Sequence, residues 1–488
     1  MTDLRFVDTT LRDGPQSLWS MEMRTNMMLP VAGILDDAGF DAIEIMASPD
    51  FKKCVRDLKE DPWERIRLVV KETPKTPLRF IRGRYNNAFQ IESDELVDLW
   101  TERLAANGIR QMRVSDSSNT ATGWEKQIKS VHKYGMEIEI NLIYSLSPKH
   151  TDEYYAQKTR EAAALKPDAL CLKDPGALIT PERVRTLVPI VLANAGGIPV
   201  EFHTHCLTGL GALCTFEAIR LGIRCVNTAI PPLAEGASNP STFNVCDNAR
   251  VIGMKPVIDE ESLHRVEAHF MAIAQAEGRP VGQVASYDHS QYLHQVPGGM
   301  ISNFRFHLSK LGMTESLQAV LEETAQVRAD LGYPIMVTPY SQFVGTQAAL
   351  NVVSGERYKV VSEEVIHYAL GWWGEEERAS MDPNVLDRIL QTPRAQELKN
   401  TSPPNYSRQE LRKRFGGPGV SDDDLLLRIV TDADSVSAMR NAPPGKRYDD
   451  LLGNSLAEVI GRLDKATSSH FVQIEKPGFR MTLERAGG

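Results

Sequence analysis

The chain has 488 residues, with 55 Lys+Arg against 64 Asp+Glu, a formal net charge of -9 and 42% hydrophobic residues. This is a globular composition, long enough for roughly two to four domains, and its acidic balance offers no general attraction to nucleic acid or an anionic membrane surface. Six scattered cysteines (Cys54, Cys171, Cys206, Cys214, Cys225, Cys246) without a CxxC pair argue against a disulfide framework, and neither a leader-like N-terminus nor an apolar run of about 18 residues is present, so a reducing cytoplasm is expected.

Short β-branched runs recur down the first half: LRFVD from Leu4, DAIEIM from Asp41, LRFIRG from Leu78, QMRVSD from Gln111, EIEINLIYS from Glu137, DALCLKD from Asp168, IPVEFHTH from Ile198 and CVNTAI from Cys225. Amphipathic helical stretches separate them, among them SDELVDLWTERLAANG and TPERVRTLVPIVLANAGG. Eight such units predict an α/β fold, a (β/α)8 TIM barrel of about 250 residues, over 1–256. The rival doubly wound sheet would carry a glycine-rich phosphate loop after its first strand; DTTLRDGPQS stands there instead. The polar residues Asp13, Glu44, Arg82, Asp116, Lys173, His203, His205 and Thr228 fall at or near the C-terminal ends of these runs, where barrel enzymes assemble their chemistry.

From 257 to 397 the pattern turns helical, with SLHRVEAHFMAIAQAEG and SLQAVLEETAQVRADLG as clear amphipathic helices. This mostly helical C-terminal domain is expected to complete the active site. The remainder, 398–488, reads as linkers at NTSPP and around Gly416, helices, and a closing β-hairpin formed by HFVQIE and FRMTLER around Lys476, Pro477 and Gly478.

His203 and His205 are two apart in a strand, so both rings share one face and can bind one metal ion; a purely structural polar pair is the other reading. Asp13 can complete a two-histidine, one-carboxylate set. Lys173 as an ammonium repels a cation and suits a salt bridge with Asp174 or Asp116; buried beside a metal it can instead be neutral and take up carbon dioxide as a carbamate.

Seven motifs together resemble one family. DTTLRDGPQS (Asp8 to Ser17), EDPWERIR (Glu60 to Arg67), IRG (Ile81 to Gly83), LKDPG (Leu172 to Gly176), HTH (His203 to His205), PGGMISN (Pro297 to Asn303) and VTPYSQFVGTQA (Val337 to Ala348) are similar to the carboxyltransferases of biotin-dependent enzymes. These include the carboxyltransferase part of pyruvate carboxylase, the oxaloacetate decarboxylase α subunit and the matching transcarboxylase subunit. The resemblance implies a divalent metal (Zn, Mn or Co) on Asp13, His203, His205 and carbamylated Lys173. It implies that Arg12 and Gln16 contact substrate oxygens, that Arg82 pairs with the substrate carboxylate, and that Ser302 shuttles a proton between biotin and substrate. The implied activity is carboxyl transfer between biotin and a small acid, most readily a 2-oxo acid such as pyruvate or oxaloacetate, by a homodimer.

The chain departs from the family at Ile45-Met46-Ala47-Ser48, at Arg84-Tyr85-Asn86-Asn87, at Cys206, where an aspartate is usual, and at KDPG. Those positions line or support the mouth. It has no Ala-Met-Lys-Met hairpin to carry biotin and no glycine-rich ATP-binding domain; Met254-Lys255 is its sole Met-Lys pair. Biotin is therefore expected in trans on a biotin carboxyl carrier protein, with biotin carboxylase or decarboxylase partner subunits. The competing expectations are a biotin-independent metal-dependent lyase or decarboxylase on the same barrel and a non-catalytic assembly subunit.

Overall fold

In the computed structural model, which describes residues 2–83, 85–86, 90–287, 289, 291–292, 295, 314–417, 419–448, 471–476 and 479–484, all eight runs are strands. They are β1 (Thr2–Asp8), β2 (Ala42–Ala47), β3 (Leu78–Arg82), β4 (Gln111–Val114), β5 (Glu137–Ile143), β6 (Ala169–Asp174), β7 (Val200–Thr204) and β8 (Cys225–Thr228). Each pairs in parallel with the next, and β8 returns to β1 in the register Arg5↔Cys225 to Asp8↔Thr228, which closes the barrel. A short strand at Met254–Pro256 adds to the outer end of β1, just ahead of the helical region.

The connecting helices form the outer ring because each has an apolar face to bury against the strands, and several have a capped first turn. Asp94–Ala106 starts at Ser93, whose side chain accepts from Leu96 N–H, and Pro181–Asn194 starts at Thr180 in the same way, with proline in the first turn. Between strands and helices sits an aromatic knot: Phe51 meets Trp63 at 4.7 Å, Trp100 at 4.8 Å and Phe80 at 5.8 Å between ring centroids, all edge to face.

The remaining helices divide between two hydrophobic cores. Helix Glu260–Glu277 buries Leu263, Val266, Phe270 and Ile273 in the barrel's core, and the segment from Leu411 to Tyr448 joins the same core. Trp63 Nε1–H donates to Asp423 O at 3.1 Å, and Arg440 pairs with Asp61 at 2.6 Å. Helices from Leu317 to Leu398 instead surround their own core of Val327, Tyr340, Phe343, Tyr368 and Trp373.

This second core is tied to the barrel mouth by polar contacts. The Thr338 carbonyl accepts from Tyr85 O–H at 2.7 Å and Ser117 O–H at 3.0 Å, and Arg328 donates to Ser145 Oγ at 2.9 Å. The expected hairpin is present, Phe471–Lys476 running antiparallel to Phe479–Glu484. Among the described residues no helix is long and apolar enough to cross a membrane.

Candidate metal centre at the barrel mouth

The loop after β1 is shaped by its own hydroxyls. Asp8 Oδ1 accepts from the Thr10 amide at 3.2 Å and the Thr10 hydroxyl at 2.5 Å, and Thr9 O collects the amides of Arg12, Asp13 and Gly14. This turns Arg12 and Asp13 back over the mouth. Gly14 is required there, since a Cβ would lie 2.7 Å from that of Leu233. Burial raises the Asp8 carboxyl to about 7.

Asp13 Oδ2 lies 3.3 Å from His203 Nε2 and 3.4 Å from His205 Nε2. All three residues are buried. Tetrahedral bonds of about 2.0–2.1 Å place neighbouring ligand atoms about 3.4 Å apart, so Asp13 Oδ2 already stands at that spacing from each histidine nitrogen, and donor atoms of all three residues lie within 4.8 Å of one another. His205 Nε2 is buried without a hydrogen-bond partner, an orphan that a cation would satisfy. Oxygen and imidazole nitrogen are the donor types a borderline divalent ion takes. The residues fit a metal.

Electrostatics agree. Burial alone would raise the Asp13 carboxyl, but Arg12 and His205 outweigh it and hold it well below the usual carboxylate range. Burial, and then Lys173, push the His203 imidazole down to about 3, so it is neutral and has a lone pair to offer. Ser17 O–H donates to Asp13 Oδ1 at 3.0 Å, leaving Oδ2 toward the histidines.

Lys173 projects from β6 opposite His203 in register. It is buried, and among the described residues its amine has no hydrogen bond or ion pair. Burial and Arg12 lower it to about 8. The salt bridges considered from sequence do not form. Asp174 is turned away, accepting the Leu178 and Ile179 amides at 3.0 and 2.8 Å, and Asp116 accepts from Ser118.

Arg12 joins this cluster. Its guanidinium donates to Asp13 Oδ2 at 2.8 Å and to Glu44, and reaches Gln16 Oε1 at 3.3 Å. Gln16 itself is exposed at the rim. Arg82 is not brought to the cluster. It alternates along β3 with Phe80, on the face toward the outer helices, so its guanidinium pairs with Glu92 and lies 5.2 Å from the Trp100 ring centroid. Its neighbour Arg79 takes the inner face instead. Ser302 lies outside the described residues.

Beneath the mouth the barrel is filled by charge rather than by aliphatic layers. Arg113 pairs with Glu44, with Glu139 at 2.6 Å and with Glu201 at 2.7 Å, while Arg79 pairs with Glu139 at 2.7 Å and Glu201 at 2.8 Å. Burial would raise Glu44, yet Arg113 and Arg12 bring it down to about 2. Sequence reading singled out Glu44 from this network and missed the rest. The available signal was a charged residue at the centre of each of several otherwise apolar strands. Also missed were Asn227 and Asn239, which contact His203 at 2.9 and 3.2 Å.

Comparison with known proteins extends these findings. Residues 3–269 match the family model described as HMGL-like, and residues 292–484 match that of a conserved carboxylase domain. A pyruvate carboxylase subunit of Methanocaldococcus jannaschii is 31% identical over 99% of this chain and 84% of its own. The methylmalonyl-CoA carboxyltransferase 5S subunit of Propionibacterium freudenreichii subsp. shermanii is 30% identical, covering 87% of this chain and 85% of its own. The 2-oxoglutarate carboxylase large subunit of Hydrogenobacter thermophilus is 32% identical over 88% of this chain and 62% of its own. The solved carboxyl transferase domain of Rhizobium etli pyruvate carboxylase has the same fold, with a TM-score of 0.78 at 23% identity over 92% of this chain and 78% of that one.

Proposed function

Since this chain belongs to the carboxyltransferases of biotin-dependent enzymes, we propose that it moves a carboxyl group between biotin on a separate carrier protein and a 2-oxo acid such as pyruvate or oxaloacetate. The observation that carries this reading is the buried Asp13, His203 and His205 set, with an orphaned His205 Nε2 and a Lys173 without a partner among the described residues at the same mouth. Asp13, His203 and His205 would hold a divalent ion, zinc, manganese or cobalt, with Lys173 joining them as a carbamate. Such an ion supplies Lewis-acid stabilisation of negative charge developing on a substrate oxygen.

The chain's own groups do the rest. Arg12, fixed by Glu44 and Asp13, keeps one guanidinium nitrogen toward the rim, where it and Gln16 would contact substrate oxygens. Arg82, at the C-terminal end of β3, would grip the substrate carboxylate after leaving Glu92 and turning its guanidinium from the helix layer to the mouth, where it could take the carboxylate bidentately. The Ser302 hydroxyl would carry a proton between the substrate carbon and the ureido nitrogen of biotin. The helices from Leu317 to Leu398, held over the mouth through Thr338 and Arg328, would complete the site and limit water entry.

The names of the relatives support partners: the Methanocaldococcus jannaschii protein is named as one subunit of a pyruvate carboxylase, and the Hydrogenobacter thermophilus protein as the large subunit of a 2-oxoglutarate carboxylase. A biotin carboxyl carrier protein and a biotin carboxylase or decarboxylase subunit would act with this chain, as a homodimer in the cytoplasm. The test measures oxaloacetate decarboxylation and release of labelled carbon dioxide from carboxylated carrier, with and without the carrier and with avidin as a block, alongside elemental analysis. The expected result is about one divalent ion per chain and turnover that needs biotin. Avidin-insensitive turnover by the isolated chain would move the assignment to a biotin-independent lyase, and full activity without metal would remove the centre.

A further inference from the structure

His203 and His205 differ in what stands behind them. Asn227, on β8, has its amide nitrogen 2.9 Å from Glu201 Oε2 and its carbonyl oxygen 2.9 Å from His203 Nδ1. A carboxylate only accepts hydrogen bonds, so the Asn227 amino group must face Glu201, and its oxygen is left to face the ring. That oxygen cannot donate, so His203 Nδ1 has the proton. Glu201 cannot swing aside, because Arg79 holds both its oxygens at 2.8 and 2.9 Å and Arg113 adds a contact at 2.7 Å.

A second carboxamide leads to the same tautomer independently. Asn239 Oδ1 accepts from the Thr9 hydroxyl at 2.8 Å and its Nδ2 donates to Thr204 O at 2.9 Å, which fixes its orientation. The same Nδ2 then faces His203 Nε2 at 3.2 Å, so that nitrogen is an acceptor. With the opposite tautomer, donor would meet donor at Asn239 and lone pair would meet lone pair at Asn227, and the sole gain would be a long contact from Nε2–H to Asp13 Oδ2 at 3.3 Å. Two mismatches in a fully buried setting are strongly disfavoured.

We infer that Asn227, held by Glu201, is a positioning residue that keeps the proton of His203 on Nδ1 and so presents Nε2 to the divalent ion, which would take the lone pair that Asn239 Nδ2 faces in its absence. The inference rests on the metal reading above and deepens it. The charged network in the barrel interior thus also has a role at the mouth: it holds Glu201, which orients the carboxamide that orients the ligand. His205 Nε2, by contrast, is buried without a hydrogen-bond partner.

The test uses the full chain stripped of metal. First, ¹⁵N-histidine labelling of the wild type, with the His203 signals identified by their loss in His203→Ala, reads the tautomer directly. A protonated Nδ1 and a pyridine-type Nε2 are expected; the reverse would overturn the inference. Second, zinc and cobalt affinities are measured by chelator competition, and the cobalt absorption spectrum is recorded, for Asn227→Leu and Asn227→Asp. Loss of an orienting partner costs metal sites roughly 10- to 100-fold in affinity, so Asn227→Leu should bind that much more weakly, with a changed cobalt spectrum. Asn227→Asp keeps an acceptor opposite Nδ1 and, buried beside the Glu201 carboxylate, takes up a proton that it donates to Glu201 in place of the amide, so it should recover most of the affinity. Equal affinity and spectra in the wild type and Asn227→Leu would overturn the role of Asn227. If Asn227→Leu does not fold, the wild-type tautomer and the Asn227→Asp affinity still decide it. A wild type that binds no ion at any concentration, yet has the expected tautomer, would sink the metal reading instead.

Discussion

The inside of the barrel holds two polar regions that behave oppositely. In the lower one, Arg79 and Arg113 are surrounded by Glu44, Glu139 and Glu201, and every guanidinium faces a carboxylate. In the upper one, Lys173 has no partner among the described residues and His205 Nε2 is orphaned. Burying charge is costly wherever it occurs. The lower region offsets most of that cost within itself, its one surplus carboxylate showing at Glu139, which burial and Glu201 push up to about 7, whereas the mouth leaves it outstanding, and an outstanding cost is what a bound ion or substrate can relieve. Polarity alone therefore does not mark the site; unmatched polarity does.

The largest effect expected from breaking this contrast is in the lower region. Arg113→Met removes one guanidinium from among three carboxylates, and uncompensated buried charge of this kind costs about 3–5 kcal/mol. Urea denaturation of the metal-free protein reads it. A loss below about 1 kcal/mol would mean that the network is hydrated and that the two regions are alike.

Acid should attack the lower region next. Glu44 is held at about 2 in the fold against an ordinary 4.5. A carboxyl depressed in this way adds stability that is fully present above 4.5 and is lost as pH falls through about 2. The contribution is about 3 kcal/mol. Metal-free protein should lose stability over that window, and Glu44→Gln, less stable at neutral pH, should show a flatter profile. An identical slope in the variant would assign acid sensitivity to other carboxylates.

The mouth should respond with the opposite sign. Lys173→Met replaces a buried amine, without a partner among the described residues, by an apolar chain of similar length, and such replacements are often stabilising, here by about 1–3 kcal/mol in metal-free protein. The same variant should fail to retain metal. A variant that is both less stable and metal-free would show that Lys173 has a structural partner, and the contrast would collapse.

This contrast also explains what the sequence made legible. The strands were readable because their β-branched runs are short and evenly placed, and the barrel followed from their number and from the absence of a phosphate loop. Asp13, His203 and His205 were readable because strand periodicity puts two histidines on one face. Arg82 was harder, since one residue of register decides whether a side chain enters the barrel or the helix layer, and Arg79 rather than Arg82 enters. Asn227 and Asn239 were illegible: each looks like an ordinary loop or strand amide until the distances to His203, Glu201 and Thr9 give it a direction. The lower network sat between the two cases, with Glu44, Arg79, Arg113, Glu139 and Glu201 visible as charges inside apolar runs but pairing only once the barrel closes.

The smallest expected effects lie where the mouth meets the helices from Leu317 to Leu398. The Thr338 carbonyl accepts from both Tyr85 and Ser117, and a carbonyl has two lone pairs, so losing either donor leaves it satisfied. Ser117→Ala and Tyr85→Phe should each cost no more than about 1 kcal/mol. The double variant strips the carbonyl of both, but Thr338 is exposed and water can take their place, so the two losses should simply add, to no more than about 2 kcal/mol. Urea denaturation gives the totals, and hydrogen exchange along helix Tyr340–Ser354 shows where protection is lost. Simple additivity means that the two bonds are independent and that water replaces them freely; a deficit beyond the sum would instead mark Thr338 as the shared point at which the helical core is fastened to the mouth.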